Sequence, residues 1–165
     1  MPNALLPSGA PGRRRKSNSP RQPTRVRPSA PALQAPPPVE RQRSPIDGWG
    51  VFATRPLPAR RKIGEIQGEL RRLPRARWEI ADHRRIYFVE LDERWALDCR
   101  KDKLFKHLNH SCRPNCYLRV SHRRIEVYTL NAIPAQTELT VDYVETPHRR
   151  GMKCQCGAPT CRGRL

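Results

Sequence analysis

Apolar and polar residues alternate in short bursts along this chain, and the bursts have the period of strands. GWGVFAT, Gly48 to Thr54, reads as a glycine turn running into a strand. KIGEIQGEL (62–70) sets Ile63, Ile66 and Leu70 among polar residues, a strand broken by glycines. RIYFVELD (85–92) and RWALD (94–98) are short strands around the acidic turn Asp92-Glu93. RIEVYTL (124–130) turns Ile125 and Val127 inward against Glu126 and Tyr128. ELTVDY (138–143) is a further strand. The one helical candidate spans roughly 73–82 and opens at Pro74. No segment repeats at a fixed period. The pattern predicts a mostly β domain with long irregular connections and little helix.

One stretch fits neither period. NHSCRPNC, Asn109 to Cys116, is too polar and too broken by Pro114 for a core helix or a central strand. On its residues alone it is a metal loop, a nucleophile site or a polar turn.

Composition changes the picture at the N-terminus. Residues 1–43 carry nine basic residues, among them Arg13, Arg14, Arg15 and Lys16, and the single acid Glu40, a net +8. The segment is rich in proline and almost free of aromatic and β-branched residues. It cannot offset its ordering entropy by burial, so a disordered basic arm is expected. The run GRRRK reads as a nucleic-acid anchor, a targeting signal or a plain solvated arm. The whole chain has a net charge of +18, leaving +10 for the remainder. That balance favours nucleic acid or an assembly that carries it.

The chain opens without a secretory apolar core and has no apolar run of membrane-spanning length. An intracellular location is expected, and its thiols read as metal ligands or core residues rather than disulfides. Cys154, Cys156 and Cys161 have the spacing C-x-C-x4-C, with Gly157 and Pro159 turning the backbone between them. Three thiolates leave a structural zinc site one ligand short. Cys112 and Cys116 are the candidates for the fourth.

Four motifs stand in order: GWG (48–50), NHSCRPNC (109–116), ELTVDY (138–143) and the cysteine tail (154–161). Together they resemble the SET-domain protein-lysine methyltransferases with a post-SET zinc tail. The resemblance covers about residues 44–165. The phrase KCQCGAPTCRGRL is similar to the compact SET proteins of bacteria more than to large multidomain eukaryotic ones.

The resemblance implies a fold of small curved β-sheets with a pseudoknot and a zinc-bound C-terminal tail. It divides the chain into the arm 1–43, a SET domain 44–146 and a zinc-binding tail 147–165. It implies an enzyme that moves a methyl group from S-adenosylmethionine to the ε-amine of a protein lysine, on a histone, nucleoid or ribosomal protein. Gly48, Trp49, Gly50, Asn109 and His110 take the cofactor-binding positions, and Tyr143 the catalytic one. Cys112, Cys154, Cys156 and Cys161 take the zinc positions, leaving Cys99 and Cys116 as structural thiols. Val141 stands where the family usually has an aromatic residue. Sharing a strand face with Tyr143, it is expected to border the lysine channel and leave room for more than one methyl group.

The expected partners are a protein substrate and, through the arm and the basic surface, nucleic acid. No membrane contact is expected, and the chain is expected to be a monomer. The location follows as cytoplasm or nucleoid in a bacterium, nucleus or chromosome otherwise. The competing reading is a non-catalytic, zinc-stapled basic module that binds nucleic acid or chromatin.

Overall fold

The computed structural model describes residues 36–73, 87–144 and 152–165. Among the described residues, ten short strands and one 3-10 turn form the named elements. In chain order the strands are β1 (Val39–Arg43), β2 (Trp49–Ala53), β3 (Lys62–Ile66), β4 (Glu69–Arg72), β5 (Phe88–Glu90), β6 (Trp95–Asp98), β7 (Asn109–His110), β8 (Cys116–Ser121), β9 (Arg124–Thr129) and β10 (Glu138–Val141). The 3-10 turn is Phe105–His107. The helix expected over 73–82 lies outside the described residues, apart from Leu73. Among the described residues no helix is long and apolar enough to cross a membrane.

Three sheets share these strands, in the orders β1-β2-β10-β7, β3-β9-β8 and β4-β6-β5. Val51, Leu139, Val141, Cys116, Ile125 and Val127 are fully buried in one core cluster. The inward reading of Ile125 and Val127 holds, since both alternate with more exposed neighbours along β9.

KIGEIQGEL is two strands in two sheets rather than one interrupted strand. The chain changes sheet at Gln67 and Gly68. The Gln67 amide donates to Asp102 Oδ2 at 2.7 Å. A side chain at Gly68 would place its Cβ 2.6 Å from the Asp98 carbonyl oxygen, so only glycine lets the backbone pass there.

The expected boundary at Ser44 cuts through the fold's first hairpin. β1 pairs with β2 from Val39↔Ala53 to Arg43↔Trp49. Val39 is buried in the core, where its apolar side chain anchors the start of the hairpin. The last residues assigned to the arm therefore belong to a sheet. A second departure is β8, which grows out of the second cysteine of NHSCRPNC and pairs with β9 over its whole length. The connecting His122 and Arg123 both have positive φ, 48° and 62°. That geometry matches the twist of a two-residue hairpin, reached here without the usual Asn-Gly.

Candidate functional site

NHSCRPNC begins as the edge strand β7, which runs parallel to the end of β10 through Thr140↔Asn109 and Val141↔His110. Asn115 then acts as a piece of strand. Its amide nitrogen donates to the Glu138 carbonyl at 2.7 Å, and its Oδ1 accepts the Thr140 N–H at 2.9 Å. Side chain and backbone thus pin this loop along β10, bringing the first three motifs together.

Behind the GWG turn lies a polar network. Asn109 Nδ2 is 2.7 Å from Glu138 Oε1, 3.0 Å from Ser44 Oγ, 3.1 Å from the Trp49 carbonyl and 3.3 Å from the Asp47 carbonyl. The Ser44 hydroxyl faces both Glu138 carboxylate oxygens, at 2.8 and 2.9 Å, and accepts the Ile46 N–H at 2.9 Å. Gly48 supplies the left-handed backbone of the turn, with φ 52°. Gly50 has a different role, because a Cβ there would collide with the Glu138 carboxylate. The side-chain amide of Asn109 is therefore engaged with the turn's own main chain.

Tyr143 follows the end of β10. Its hydroxyl donates to the Leu108 carbonyl at 2.6 Å, and its backbone N–H donates to His110 Nδ1 at 3.1 Å. The two rings lie 5.4 Å apart, tilted by 52°. Although 37% of Tyr143 is exposed, the phenol itself turns inward. Burial pushes its pKa above the ordinary range, and the charges of Asp47 and Glu138 add to the effect. The group therefore stays a neutral hydroxyl at physiological pH. Val141 does not share this setting. It is 2% exposed and packed in the main core, and β10 stops there, so the strand alternation that would align it with Tyr143 does not continue.

The thiols gather beside His110. Cys112 Sγ lies 3.8 Å from Cys154 Sγ, and the Cys112 N–H points at Cys156 Sγ at 3.5 Å. His110, Cys112, Cys154 and Cys156 each offer a ligand atom, and these atoms lie within 4.8 Å of one another. Cys161 sits outside that foursome but interacts with both Cys154 and Cys156. Burial opposes ionisation of Cys156, yet the Cys112 and Ala158 amides and the Cys154 and Cys161 thiols bring its pKa to about 6. Burial and the same thiol contacts push Cys154 up to about 12. The cluster's own amides and thiols thus favour the thiolate at Cys156, the form in which sulfur binds a cation. Cys99 and Cys116 stand apart in the core, where burial pushes each to about 12.

The tail closes on itself where Met152 and Leu165 exchange backbone hydrogen bonds, at 3.0 and 2.9 Å. Arg162 ties it to the catalytic candidate's neighbour. Its N–H points at Cys112 Sγ at 3.3 Å, and its guanidinium donates to Asp142 Oδ1 at 2.5 Å. Burial works against ionised Asp142, but the Val144 amide and Arg162 hold its carboxyl below the usual range. Ser44, Asn115, Glu138 and Arg162 are the site residues that sequence reasoning missed. Their one sequence signal is position: each lies inside or within four residues of a recognised motif.

A SET domain model matches residues 48–144. The H3 lysine-4 specific histone-lysine N-methyltransferase of Candida albicans is 34% identical over 146 residues, covering 78% of this chain and 14% of its own length. Its namesake in Saccharomyces cerevisiae is 35% identical over 143 residues, covering 78% and 13%. Histone-lysine N-methyltransferase SETD1 of Drosophila melanogaster is 32% identical over 133 residues, covering 74% and 8%. The chain thus spans about a seventh or less of the length of these curated relatives. With the family model covering more than half of its residues, this chain belongs to the SET-domain family.

Proposed function

We propose that this chain transfers a methyl group from S-adenosylmethionine to the ε-amine of a protein lysine, with a histone as the first substrate to test. The observation that carries the reading is Tyr143: a neutral phenol, anchored on the Leu108 carbonyl, within electrostatic reach of Asp47 beside the glycine turn. The names of the relatives support the histone.

S-adenosylmethionine supplies, when bound, an electrophilic methyl group on a sulfonium. Gly48, Trp49 and Gly50 offer main chain for close approach, with the Asn109 side chain bonded to the turn and His110 next to it on β7. A lysine in water is almost wholly ammonium, with a pKa near ~10.4. Transfer into an apolar channel disfavours that charge and frees the lone pair. Tyr143 then orients the amine, and alignment supplies most of the remaining acceleration. Its raised pKa argues against a role as the base that takes the proton.

The sulfur-rich donor set fits zinc, which takes tetrahedral thiolates in structural sites. We assign Cys112, Cys154, Cys156 and Cys161 as its ligands, holding the tail against β7. Retention by chromatin follows from the histone reading, as does a nuclear or nucleoid location.

A second reading, a basic module that grips nucleic acid, draws on one observation. Arg41 and Arg43 both lie over the Trp49 ring, 4.4 and 4.2 Å from its centroid, and neither pairs with a carboxylate among the described residues. The two readings are compatible, since a nucleic-acid grip delivers an enzyme to a nucleic-acid-bound substrate. Incubating the purified protein with labelled S-adenosylmethionine and core histones separates them. Label on a histone lysine supports the enzyme, and its absence with every histone and with a whole lysate overturns it.

A further inference from the structure

We propose that Glu138 is the positioning residue of the methyl-donor pocket: through Ser44 and Asn109 it sets the shape of the Gly48–Gly50 turn. The inference rests on the methyltransferase reading for its functional consequence but not for its structural part. Glu138 lies on β10, opposite Phe52 of β2, so its backbone is fixed by the sheet. From there its carboxylate reaches the turn. Oε1 takes the Asn109 amide at 2.7 Å and the Ser44 hydroxyl at 2.8 Å.

Each of these partners then holds a different part of the turn. Ser44 Oγ accepts the N–H of Ile46 at 2.9 Å, and the Ser44 N–H donates to the Gly48 carbonyl at 3.1 Å. Asn109 Nδ2 reaches the Trp49 carbonyl at 3.1 Å. A hydroxyl has one proton to give. Directing it to Glu138 leaves the Ser44 lone pairs free for the turn's amides. The carboxylate thereby fixes the polarity of the whole network, and charge-assisted bonds are its strongest members.

Gly50 carries the mark of the same carboxylate. The atom that excludes a Cβ at Gly50 is Glu138 Oε1 itself. A glycine that the motif alone assigns to cofactor approach thus also leaves the space that this carboxylate occupies, and a side chain there would push it out of the network.

The test compares Glu138→Leu with Glu138→Gln in the full chain. The two side chains are similar in size, but only glutamine offers an oxygen to Ser44 and Asn109. S-adenosylmethionine affinity by calorimetry is the first readout, and the NMR signal of the Trp49 indole in the cofactor-free protein is the second. Glu138→Leu is expected to weaken binding about tenfold or more and to shift or broaden the Trp49 signal. Glu138→Gln is expected to restore most of both. Equally small effects of the two variants would show a space-filling role and overturn the proposal, as would an unmoved Trp49 signal in both; equally large effects would show that the carboxylate charge itself holds the network, and support it. Should Glu138→Leu fail to fold, Ser44→Ala removes the same link with less disturbance and is expected to act in the same direction. If the unaltered protein binds no S-adenosylmethionine, the methyltransferase reading fails, and the Trp49 response alone decides the role of Glu138.

Discussion

His110 joins Tyr143 to the thiol cluster with one ring: Nδ1 accepts the Tyr143 N–H at 3.1 Å, and Nε2 faces Cys112 Sγ at 3.2 Å. A neutral imidazole that accepts at Nδ1 carries its proton at Nε2. To ligate a metal through Nε2 it would have to move that proton to Nδ1 and lose the Tyr143 amide. His110 is better placed to donate to a metal-bound thiolate than to bind the ion itself. Cys161 then completes the four thiolates. Elemental analysis of single variants checks this. Cys112→Ser, Cys154→Ser, Cys156→Ser and Cys161→Ser are each expected to lose zinc, while Cys99→Ser, Cys116→Ser and His110→Asn keep one ion. Loss of zinc from His110→Asn with retention in Cys161→Ser would reverse the ligand assignment.

Removing the Tyr143 hydroxyl is expected to separate chemistry from binding. Tyr143→Phe keeps the ring against His110 and deletes the bond to the Leu108 carbonyl. The Leu108 carbonyl then lacks this partner, at a stability cost of about 1 kcal/mol. Turnover should fall by about a hundredfold or more, the scale on which lost positioning acts. S-adenosylmethionine affinity should change little. Single-turnover methyl transfer and calorimetry measure the two separately, and normal turnover would remove Tyr143 from the active site.

Asn115 replaces two strand-like hydrogen bonds with one side chain, and both end on the backbone of β10. Asn115→Ala leaves the Glu138 carbonyl and the Thr140 amide without that partner. The expected loss is about 2–4 kcal/mol, from two unmade bonds in a largely buried setting. Asn115→Asp keeps the acceptor for Thr140 and loses the donor, so it should fall between. Denaturant unfolding of the three proteins gives the order, and equal stability would show that water replaces the amide.

The strands that were legible are those whose apolar residues alternate on their own: β2, β9 and β10 carry their register in Val51, Ile125, Val127 and Leu139. β8 was hidden because it starts with a cysteine of a polar loop and leaves Tyr117 and Val120 largely exposed. Its place is set by pairing to β9, a long-range fact absent from its own sequence. β1 was hidden by the charge of Arg41 and Arg43, which stack on Trp49 rather than mark a solvated arm. Motif spacing led to Tyr143 and to the tail thiols. It could not lead to Ser44 and Glu138, because a hydrogen bond across 94 residues leaves no local pattern.

The buried position of Val141 changes what substitution there should do. An open channel wall would accept Tyr in place of Val and shift the product toward monomethyl-lysine. A fully enclosed side chain in a packed core has no room for a phenol ring. Val141→Tyr is therefore expected to destabilise the fold by about 1–3 kcal/mol or more, the cost of overpacking. Its thermal midpoint should drop before its product pattern changes. A stable Val141→Tyr variant with altered methylation state would return Val141 to the channel.

The contribution of the arm and of the first hairpin to nucleic-acid binding can be told apart by salt. Deleting residues 1–35 removes seven basic residues and no acid, 7 − 0 = +7, and leaves β1 intact. Replacing Arg41 and Arg43 by Gln removes two charges that lie over Trp49 without a carboxylate partner among the described residues. Each phosphate contact to a duplex adds about 0.9 to the slope of log affinity against log salt. If both hairpin arginines touch phosphate, their joint replacement should flatten that slope by about 2, whether or not the arm is present. Deletion of the arm should flatten it further, and the two effects should add because the charges act on separate phosphates. Methyl transfer to a short free peptide should survive the deletion, since no residue of 1–35 belongs to the assigned site. Fluorescence titrations of a labelled duplex over a range of salt concentrations give the slopes. An unchanged slope in the double arginine variant would mean that Arg41 and Arg43 serve Trp49 alone.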